Sequence, residues 1–399
     1  MTILYISYDG VLEPLGQSQI IPYLKGLSKR GEKFMLLTFE KKSRTNKKQA
    51  QQLYKDLRKV NIEWISLRYH KRPLIFSTIF DIFCGFIVSL VIVVRERLSL
   101  IHARSYVASV IAFALKKILR LKFIFDMRGF WVDERVEGRL WRGKGTLYHL
   151  VKTLEKYFLK NADEIVVLTE RAKKVIKSWG YNVNNVSVIP CCVDTENFKF
   201  NDKSRLELRK KYNLDDKFIF VHTGSLEYWY MIEEMLNYFK VAKKIKPHAH
   251  FLILTHSDKN KILKLIYDKK LNLKDFTILS IPYVDMPKYL TMVDAGLIFI
   301  TPVFSKIASS PTKFAEYLGC ALPVIINDRI GDLEDYVMKN DVGVVIRDFN
   351  DNQYRQTFED LLGLLEDKNL KLRCRQVSCD NFSLNVGIDK YYQIYSRLR

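Results

Sequence analysis

The sequence predicts an α/β protein with two doubly wound, Rossmann-like domains, each built on a parallel sheet. Short apolar runs alternate with helical patterns along the chain, which is typical of strands joined by crossover helices. This alternation stops near residue 190 and starts again near residue 216. The chain has 399 residues, which is too long for one ordinary domain. We therefore expect two domains that face a central cleft, where such pairs bind ligands.

The first domain is expected to span residues 1–190. Its strands are predicted at residues 3–7, 34–39, 62–67, 100–103, 123–126 and 164–168, because each is a short apolar run. A helix is predicted over residues 19–29, since Gly31 follows it. The basic segment 41–48 is expected to be an exposed loop or the start of a helix.

The segment 74–94 allows two interpretations. It has 21 residues, and Asp81 is its only charged residue, so its length and composition suffice to span a bilayer. However, it lies between two predicted strands of one sheet, and a spanning helix would separate those strands. We favour a crossover helix that is buried or dips into a membrane surface, and the spanning alternative stays open.

The second domain is expected to span residues 191–378. A helix is predicted over residues 203–212, and the strand pattern then restarts. Strands are predicted at 218–222, 250–254, 276–279, 295–300 and 323–326, with a helix at 233–245. The last segment, 379–399, contains an amphipathic pattern over 386–398 that predicts a helix packing back towards the first domain.

The positive charge of the chain is concentrated in its first half. The net charge is +21; residues 1–190 hold 34 Lys and Arg against 16 Asp and Glu, and residues 191–399 hold 31 against 28. The first half is therefore expected to lie beside a phospholipid surface, a lipid diphosphate or a nucleic acid. The absence of an RNA-binding motif and of interleaved aromatic and basic residues argues against nucleic acid. A lysine-rich host composition is the alternative, but it does not explain the asymmetry.

Several sequence features bear on compartment and cofactors. Met1 leads directly into a predicted strand, without the regions of a signal peptide, and the six cysteines include no metal-type Cys-x-x-Cys pair. We expect a cytoplasmic protein with structural thiols, peripheral at the inner face of the membrane. The sequence has no Asp-x-Asp tripeptide, no hydrolase elbow and no Walker loop, so no metal and no cofactor are expected.

The segment around residue 313 is the most informative part of the sequence. Ser310 is a good N-cap and Pro311 a good first helical residue, so a helix is predicted to begin here and continue through Thr312. A helix start exposes N–H groups that bind phosphate, and Lys313 adds a positive charge. Glu316 follows about one turn later, where its carboxylate can accept hydrogen bonds from two ribose hydroxyls. The pattern indicates a nucleotide diphosphate site; an ordinary capped helix is the alternative.

Two small-residue loops follow predicted strands. Gly16 and Gln17 lie in the loop after the first strand, where a ligand can approach the next helix start, although a plain turn explains them equally well. Gly224 and Ser225 follow the first strand of the second domain and leave room for a diphosphate. The aromatic residues 228–230 either wall a pocket or pack in the core.

Charged residues follow two strands of the first domain. Arg104 comes directly after one strand, and Asp126 and Arg128 come at the end of the next. Open α/β sheets bind ligands at the carboxyl ends of their strands, and arginine suits phosphate or acidic sugars. Asp126 can orient a sugar hydroxyl or take its proton. The alternative for each is an ion pair at the domain edge.

The combined motifs resemble those of the retaining GT-B glycosyltransferases called family 4. The resemblance covers nearly the whole chain, and it rests on the segments 102–105, 189–198, 224–226, 310–325 and 391–398 together with the Gly16 loop. It implies two Rossmann-like domains, with an acceptor bound by the first and a nucleotide-sugar donor bound by the second. It also implies that Glu316 binds the ribose and that the 310–313 backbone and Lys313 bind the diphosphate. The family's earlier glutamate is replaced by Ala308.

The resemblance implies a specific activity. We expect transfer of a sugar from a UDP- or GDP-type donor, with retention of configuration and without metal, to a glycan or polyprenyl-linked saccharide in surface polysaccharide or glycoconjugate synthesis. The candidate catalytic residues are Asp126, Arg128, Lys313 and Glu316. The alternatives are a sugar-nucleotide epimerase or phosphorylase of the same fold, and a non-catalytic protein that binds a glycan or a membrane.

Overall fold

The computed structural model describes residues 1–41, 47–141, 143, 145–226 and 229–399, with only the backbone at Leu74. The chain divides into two compact units: residues 1–190 with 384–399 form the first unit, and residues 191–383 form the second unit. The final segment was expected to begin at residue 379. It begins at 384, because the helix that contains residue 379 continues to Phe382 and belongs to the second unit.

The strands of both units are parallel to their neighbours. They are β1 Thr2–Ser7, β2 Lys33–Glu40, β3 Ile62–Arg68, β4 Leu100–Arg104, β5 Lys122–Asp126, β6 Glu164–Val167, β7 Val186–Val188, β8 Phe218–Thr223, β9 Ala249–Leu254, β10 Phe276–Leu279, β11 Ala295–Ile298, β12 Val324–Asn327 and β13 Gly343–Ile346. In the described part of the chain, the first sheet has the order β3-β2-β1-β4-β5-β6-β7 and the second has the order β10-β9-β8-β11-β12-β13. The expected pair of parallel α/β domains is confirmed.

Helices connect these strands throughout both units. They are α1 Pro14–Gln19, α2 Ile21–Lys29, α3 Lys47–Arg58, α4 Leu74–Glu96, α5 Ser105–Leu119, α6 Trp131–Glu137, α7 Thr146–Asn161, α8 Glu170–Ser178, α9 Asp202–Tyr212, α10 Ile232–Ile245, α11 Lys259–Asp268, α12 Met286–Thr291, α13 Thr312–Gly319, α14 Leu333–Asn340, α15 Asp351–Leu365, α16 Leu370–Phe382 and α17 Leu384–Leu398. Short 3₁₀ segments occur at Leu273–Asp275, Tyr283–Asp285 and Phe304–Ala308.

The structure differs from the expected elements at a few places. The helix expected at 19–29 is α2, which begins at Ile21 with Pro22 in its first turn, where the missing N–H is not needed. The short helix α1, which precedes it, was not expected. The strands β7 and β13 were not expected, since they have only three and four residues. The expected basic segment 41–48 lies mostly outside the described residues, and α3 begins at Lys47.

Helices cover both faces of the second sheet, because side chains alternate between the faces along each strand. In β8, Ile219 and Val221 belong to one apolar cluster, which includes Phe314 of α13. Their neighbour Phe220 belongs to another cluster, which includes Tyr238 of α10. Both faces of this parallel sheet are buried under helices. The strand segments are therefore apolar at nearly every position of the sequence and do not alternate with polar residues.

One close contact fixes α13 against the sheet. The Tyr317 hydroxyl accepts a hydrogen bond from the N–H of Thr223 at 2.9 Å and donates one to Thr223 Oγ1 at 3.1 Å. Its ring lies over Gly296 of β11 so closely that a Cβ at this position would overlap it. The start of α13 is therefore held beside the carboxyl end of β8.

We expect Gly296→Ala to lower the free energy of unfolding by about 1–3 kcal/mol, because the added methyl group forces the Tyr317 ring out of its place. The change is measured as a lower midpoint of urea unfolding. The matched control is Gly363→Ala in α15, where an added Cβ meets nothing within 4 Å. This control should raise stability by about 0.5–1 kcal/mol, since alanine is the better helix former. Equal effects of both changes would contradict the contact.

Candidate functional site

The first turn of α13 begins the candidate site in the second unit. The sequence predicted Ser310 as the N-cap, but the N-cap is Pro311, and no side-chain hydrogen bond from the described residues caps the helix. The Ser310 hydroxyl is used elsewhere, since it accepts a hydrogen bond from the N–H of Cys191 at 3.1 Å. The first helical N–H groups, at Thr312 and Lys313, therefore lack the cap that Ser310 was expected to provide. Uncapped N–H groups at a helix start can donate hydrogen bonds to an anion.

The Lys313 side chain is the unusual feature of this turn. It is 6% exposed, and within the described part of the chain its ammonium group has no hydrogen-bond partner. The ammonium lies 3.6 Å from the centroid of the Tyr230 ring, a cation–π contact. Burial lowers the pKa of Lys313 to about 7, although Glu316 opposes the change. A buried cation without a hydrogen-bonding partner is costly, so its position indicates a site for an anion.

The loop after β8 leaves space next to this lysine. Gly224 has a left-handed conformation with φ of +95°, and a Cβ here would lie 3.5 Å from the Lys313 ammonium. Only glycine combines this conformation with that space. The next residue, Ser225, is exposed, and its carbonyl oxygen lies 3.4 Å from Nε2 of the buried His222. Gly224, which was expected to leave room for a diphosphate, therefore lies beside Lys313.

Glu316 lies one turn deeper in α13 and is also buried, with 6% exposed. Its Oε1 accepts a hydrogen bond from the Tyr283 hydroxyl at 2.9 Å. Burial raises the pKa of Glu316 to about 7, whereas the Tyr283 bond and Lys313 lower it. Tyr283 lies on the 3₁₀ segment after β10 and is 40% exposed, so its hydroxyl reaches the carboxylate from the surface of the unit.

Two of the aromatic residues expected near the site stack on lysines. Tyr230 faces Lys313, and Trp229 lies with its ring centroid 3.7 Å from the Lys306 ammonium. Tyr228 lies outside the described residues. Tyr230 therefore belongs to the wall of the site and does not only pack in the core.

The candidate residues of the first unit meet at the carboxyl ends of β4 and β5. Arg104 and Asp126 are paired directly in the register of these strands. The guanidinium Nη1 of Arg104 lies 3.8 Å from Asp126 Oδ2, and Arg128 Nη1 lies 3.8 Å from Asp126 Oδ1. The sequence placed these three residues at strand ends, and the structure brings them together.

Asp126 is enclosed by protein groups. It is 0% exposed; its Oδ2 accepts a hydrogen bond from the Tyr391 hydroxyl of α17 at 3.1 Å and lies 3.5 Å from His102 Nε2. Burial alone would raise the pKa of Asp126, but Arg128, His102 and Arg104 lower it overall. The carboxylate lies between two arginines and α17, and its lowered pKa makes it a weak base. Its Oδ1 makes no hydrogen bond among the described residues, and its expected role towards a sugar hydroxyl stays a prediction.

Arg128 is the most accessible member of this cluster. Its side chain is 12% exposed, compared with 3% for Arg104. Its φ is +58°, a left-handed conformation that non-glycine residues adopt rarely and that occurs often at functional sites. The backbone therefore turns sharply after β5, and this turn places the Arg128 guanidinium beside the Asp126 carboxylate.

Gly16 and Gln17 have a different role from the one expected. Gly16 lies inside α1, and a Cβ here would overlap the carbonyl oxygen of Gly10. Gln17 donates its side-chain amide to the Val11 carbonyl. The space that the glycine leaves is filled by the chain's own loop, so these residues hold the loop after β1 and do not open it to a ligand.

Sequence reasoning missed two hydroxyl groups that complete the two clusters. Tyr283 follows a short strand, and nothing in the residues around it indicates that it reaches Glu316. Tyr391 was recognised only as an apolar position of the last helix, yet its hydroxyl bonds Asp126. The repeat of tyrosine at 391 and 395 was the available signal, because Tyr395 bonds His102 Nδ1 at 2.7 Å in the same cluster.

Comparisons with known sequences find glycosyltransferases. The profile of Glycosyltransferase Family 4 matches residues 23–197. An uncharacterised glycosyltransferase of Methanocaldococcus jannaschii is 27% identical over 274 residues, which is 62% of this chain and 63% of the relative. The alignment thus spans less than two thirds of that relative.

Solved structures cover the whole chain. Sucrose-phosphate synthase from Thermosynechococcus elongatus has a TM-score of 0.77 at 15% identity, covering 100% of this chain and 98% of that one. HepE from Anabaena, in complex with UDP, has a TM-score of 0.74 at 12% identity, covering 100% of both chains. At these identities the likeness shows the fold.

We expect Asp126→Asn to lower the free energy of unfolding by about 3 kcal/mol, because it leaves buried guanidinium groups without their carboxylate. Asp389→Asn is the control, since Asp389 is 50% exposed and pairs with Arg30 at the surface; it should cost less than about 1 kcal/mol. Urea unfolding of both variants measures the difference. If both variants are equally stable, Asp126 does not hold the cluster.

Proposed function

Since the chain belongs to the glycosyltransferases of the GT-B type, we propose that it moves a sugar from a nucleotide-diphosphate sugar to a glycan or polyprenyl-linked saccharide. The observation that carries this proposal is the buried, unpartnered ammonium of Lys313 at the uncapped start of α13, within the described part of the chain. A diphosphate supplies the missing negative charge. Glu316, one turn deeper, supplies acceptors for the ribose hydroxyls.

The second unit binds the donor in this proposal. Lys313 and the first N–H groups of α13 hold the diphosphate, and the bare backbone at Gly224 lets it approach. In the free protein the Tyr283 hydroxyl satisfies the buried Glu316 carboxylate. A ribose hydroxyl takes over this hydrogen bond, so Tyr283 moves aside or turns to the nucleoside when the donor binds.

The reaction breaks the bond between the anomeric carbon and the leaving diphosphate. The acceptor oxygen forms its bond to the same face of the sugar, which retains the configuration, and the acceptor proton passes to a phosphate oxygen. Negative charge builds up on the diphosphate as it leaves. Lys313 and the α13 amides stabilise that charge without a metal ion, because they are fixed in place before the reaction.

The acceptor is assigned to the first unit. Arg128 is the most accessible cation of the cluster at the ends of β4 and β5, and Asp126 acts as a positioning residue that aims Arg104 and Arg128. Residues 1–190 carry 34 Lys and Arg against 16 Asp and Glu, which suits a diphosphate-linked acceptor at an anionic membrane. The protein is then cytoplasmic and peripheral at the inner face of the membrane, and it works in surface polysaccharide or glycoconjugate synthesis.

Donor binding tests the proposal directly. One nucleoside diphosphate among UDP, GDP and ADP should raise the melting temperature in the presence of EDTA, with UDP tested first because it is bound in the HepE structure. Glu316→Gln should weaken binding by about tenfold or more, since a carboxylate hydrogen bond to ribose is lost. Glu359→Gln, at an exposed site of α15, should leave binding unchanged.

Product analysis separates the transferase from its alternatives. NMR of the product formed with the identified donor and a polyprenyl-linked saccharide gives the anomeric configuration. A changed sugar without acceptor would indicate an epimerase, and binding without turnover would indicate a binding protein. No shift with any nucleotide would contradict the donor site itself.

We expect the affinity for a nucleotide-diphosphate sugar to be greatest near neutral pH. The pKa values of Lys313 and Glu316 are both about 7. The diphosphate needs the protonated amine, which is lost above this pH, and the ribose needs the carboxylate, which is lost below it. Titration calorimetry across this range should therefore give a bell-shaped affinity profile.

Two variants test which residue causes the loss of affinity on each side of that pH profile. Lys313→Met should remove the fall on the alkaline side, and Glu316→Gln should remove the fall on the acid side. The sugar-linked donor is used because its diphosphate has no titrating proton near neutral pH. A flat profile in the unchanged protein would show that neither group binds the donor through its charge.

A further inference from the structure

The helix α4 packs on the first unit through small and polar residues along most of its length, and through Ile92 and Val93 near its end. Ser77, Asp81, Gly85 and Ser89 are spaced by four and form one buried stripe along the helix. Asp81 is 1% exposed and Ser89 is 0% exposed. This is the reverse of the usual amphipathic helix, whose polar side faces water.

The inward stripe is tightly held. Asp81 Oδ2 accepts hydrogen bonds from the Tyr8 hydroxyl at 2.8 Å and from the N–H of His70 at 3.0 Å. A Cβ at Gly85 would lie 2.7 Å from Ile111 and 2.8 Å from Phe39, so the helix approaches its neighbours as closely as glycine allows. The helix therefore cannot turn its apolar side inward without breaking these contacts.

Large apolar side chains cover the opposite side of α4. We call this side the outer face, and its members are Phe76, Ile79, Phe80, Phe83, Ile87 and Val91. Their exposed fractions lie between 43% for Ile87 and 73% for Phe76. Single exposed apolar residues are ordinary, but a continuous stripe of six on one helix marks a surface that binds an apolar partner.

The outer face continues into an apolar groove at the start of α4. The groove has a volume of about 490 Å³ and is lined by Phe76 together with Leu140 and Trp141. Leu140 is itself 54% exposed. The apolar surface thus extends from α4 to the segment before α7.

Exposed basic residues lie at both ends of the helix. Lys71 and Arg72 precede it, and Arg95 and Arg97 close it, with Glu96 paired to Arg95. Within residues 75–94 the only charged residue is the buried Asp81. An uncharged apolar stripe between basic ends matches a bilayer surface, where acyl chains lie beneath anionic head groups.

We propose that α4 lies in the plane of an anionic phospholipid bilayer, with its outer face inserted at the head-group boundary. The helix is long and apolar enough to span a membrane by length and composition. However, it connects β3 to β4 of the same sheet, and its Asp81 is bonded within the unit. A flat, interfacial position keeps both the sheet and these bonds. The docking does not depend on the proposed sugar transfer, because it uses other residues.

Co-sedimentation with vesicles tests the docking. The full chain should bind vesicles of phosphatidylcholine with phosphatidylglycerol and bind weakly to phosphatidylcholine alone. Raising the salt concentration should weaken binding to the anionic vesicles, because the basic ends are then screened. Phe83→Glu should lower the bound fraction at least tenfold at equal lipid, since it places a charge in the outer face. The control Leu372→Glu makes the same kind of change at a 65% exposed helical site of the second unit, and it should bind as the unchanged protein does.

Circular dichroism and the nucleotide thermal shift are the checks that each variant is folded and binds donor, which separates loss of docking from loss of the donor site. Binding of Phe83→Glu equal to that of the unchanged chain would overturn the proposal. So would absence of vesicle binding at low salt. A dimer in light scattering that Phe83→Glu dissociates, without vesicle binding, would show instead that a second copy covers the outer face.

Discussion

The parallel direction of every described strand is the constraint on which the rest of the structure depends. Parallel pairing sends the carboxyl ends of all strands in a sheet to one edge, and the helices that follow begin at that same edge. Arg104 and Asp126 become direct neighbours for this reason. In the second unit the same rule brings Gly224, after β8, to the start of α13. Side chains far apart in sequence thus meet without any long loop to carry them.

Both clusters keep charged groups away from water, and they stabilise them differently. In the first unit a carboxylate is surrounded by two guanidinium groups and the Tyr391 hydroxyl, so its charge is compensated and its pKa is lowered. In the second unit the described residues around the Lys313 ammonium oppose its charge with the face of Tyr230 and with Glu316, whose own pKa is raised. Burial therefore destabilises the free second unit at this point, and a bound anion relieves it. The charges of the first cluster oppose one another within the unit, although Asp126 Oδ1 and Arg104 Nε make no hydrogen bond among the described residues. The Lys313 ammonium also has no hydrogen-bond partner there, and we propose that an anion supplies one.

Much of this arrangement could be predicted from the sequence, because it follows from local patterns. Strand runs, the helix start at Pro311 and the placement of Lys313 and Glu316 depend on residues within a few positions of one another. The prediction that Ser310 caps α13 was wrong, because its hydroxyl bonds the N–H of Cys191, which lies more than a hundred residues away in the sequence. The contact of Tyr283 with Glu316 could not be predicted either, because it joins residues that are distant in the sequence. The packing of the loop at Gly10 and Val11 against Gly16 depends on the folded backbone, and no local pattern indicates it. The exposed side of α4 could not be predicted either, since composition alone does not tell which face of an apolar helix is buried.

The direction of α4 relates the outer face to the cluster of Arg104, Asp126 and Arg128 in the same unit. β3 ends at the carboxyl edge of the first sheet, and α4 must return to the amino edge before β4 can begin parallel to it. The start of α4, with Lys71, Arg72 and the groove at Phe76, therefore lies towards the edge that carries Arg104 and Arg128. A bilayer lying along the outer face would present its head groups to that edge. If the proposed docking and the proposed lipid-linked acceptor hold, the topology of this single crossover accounts for both.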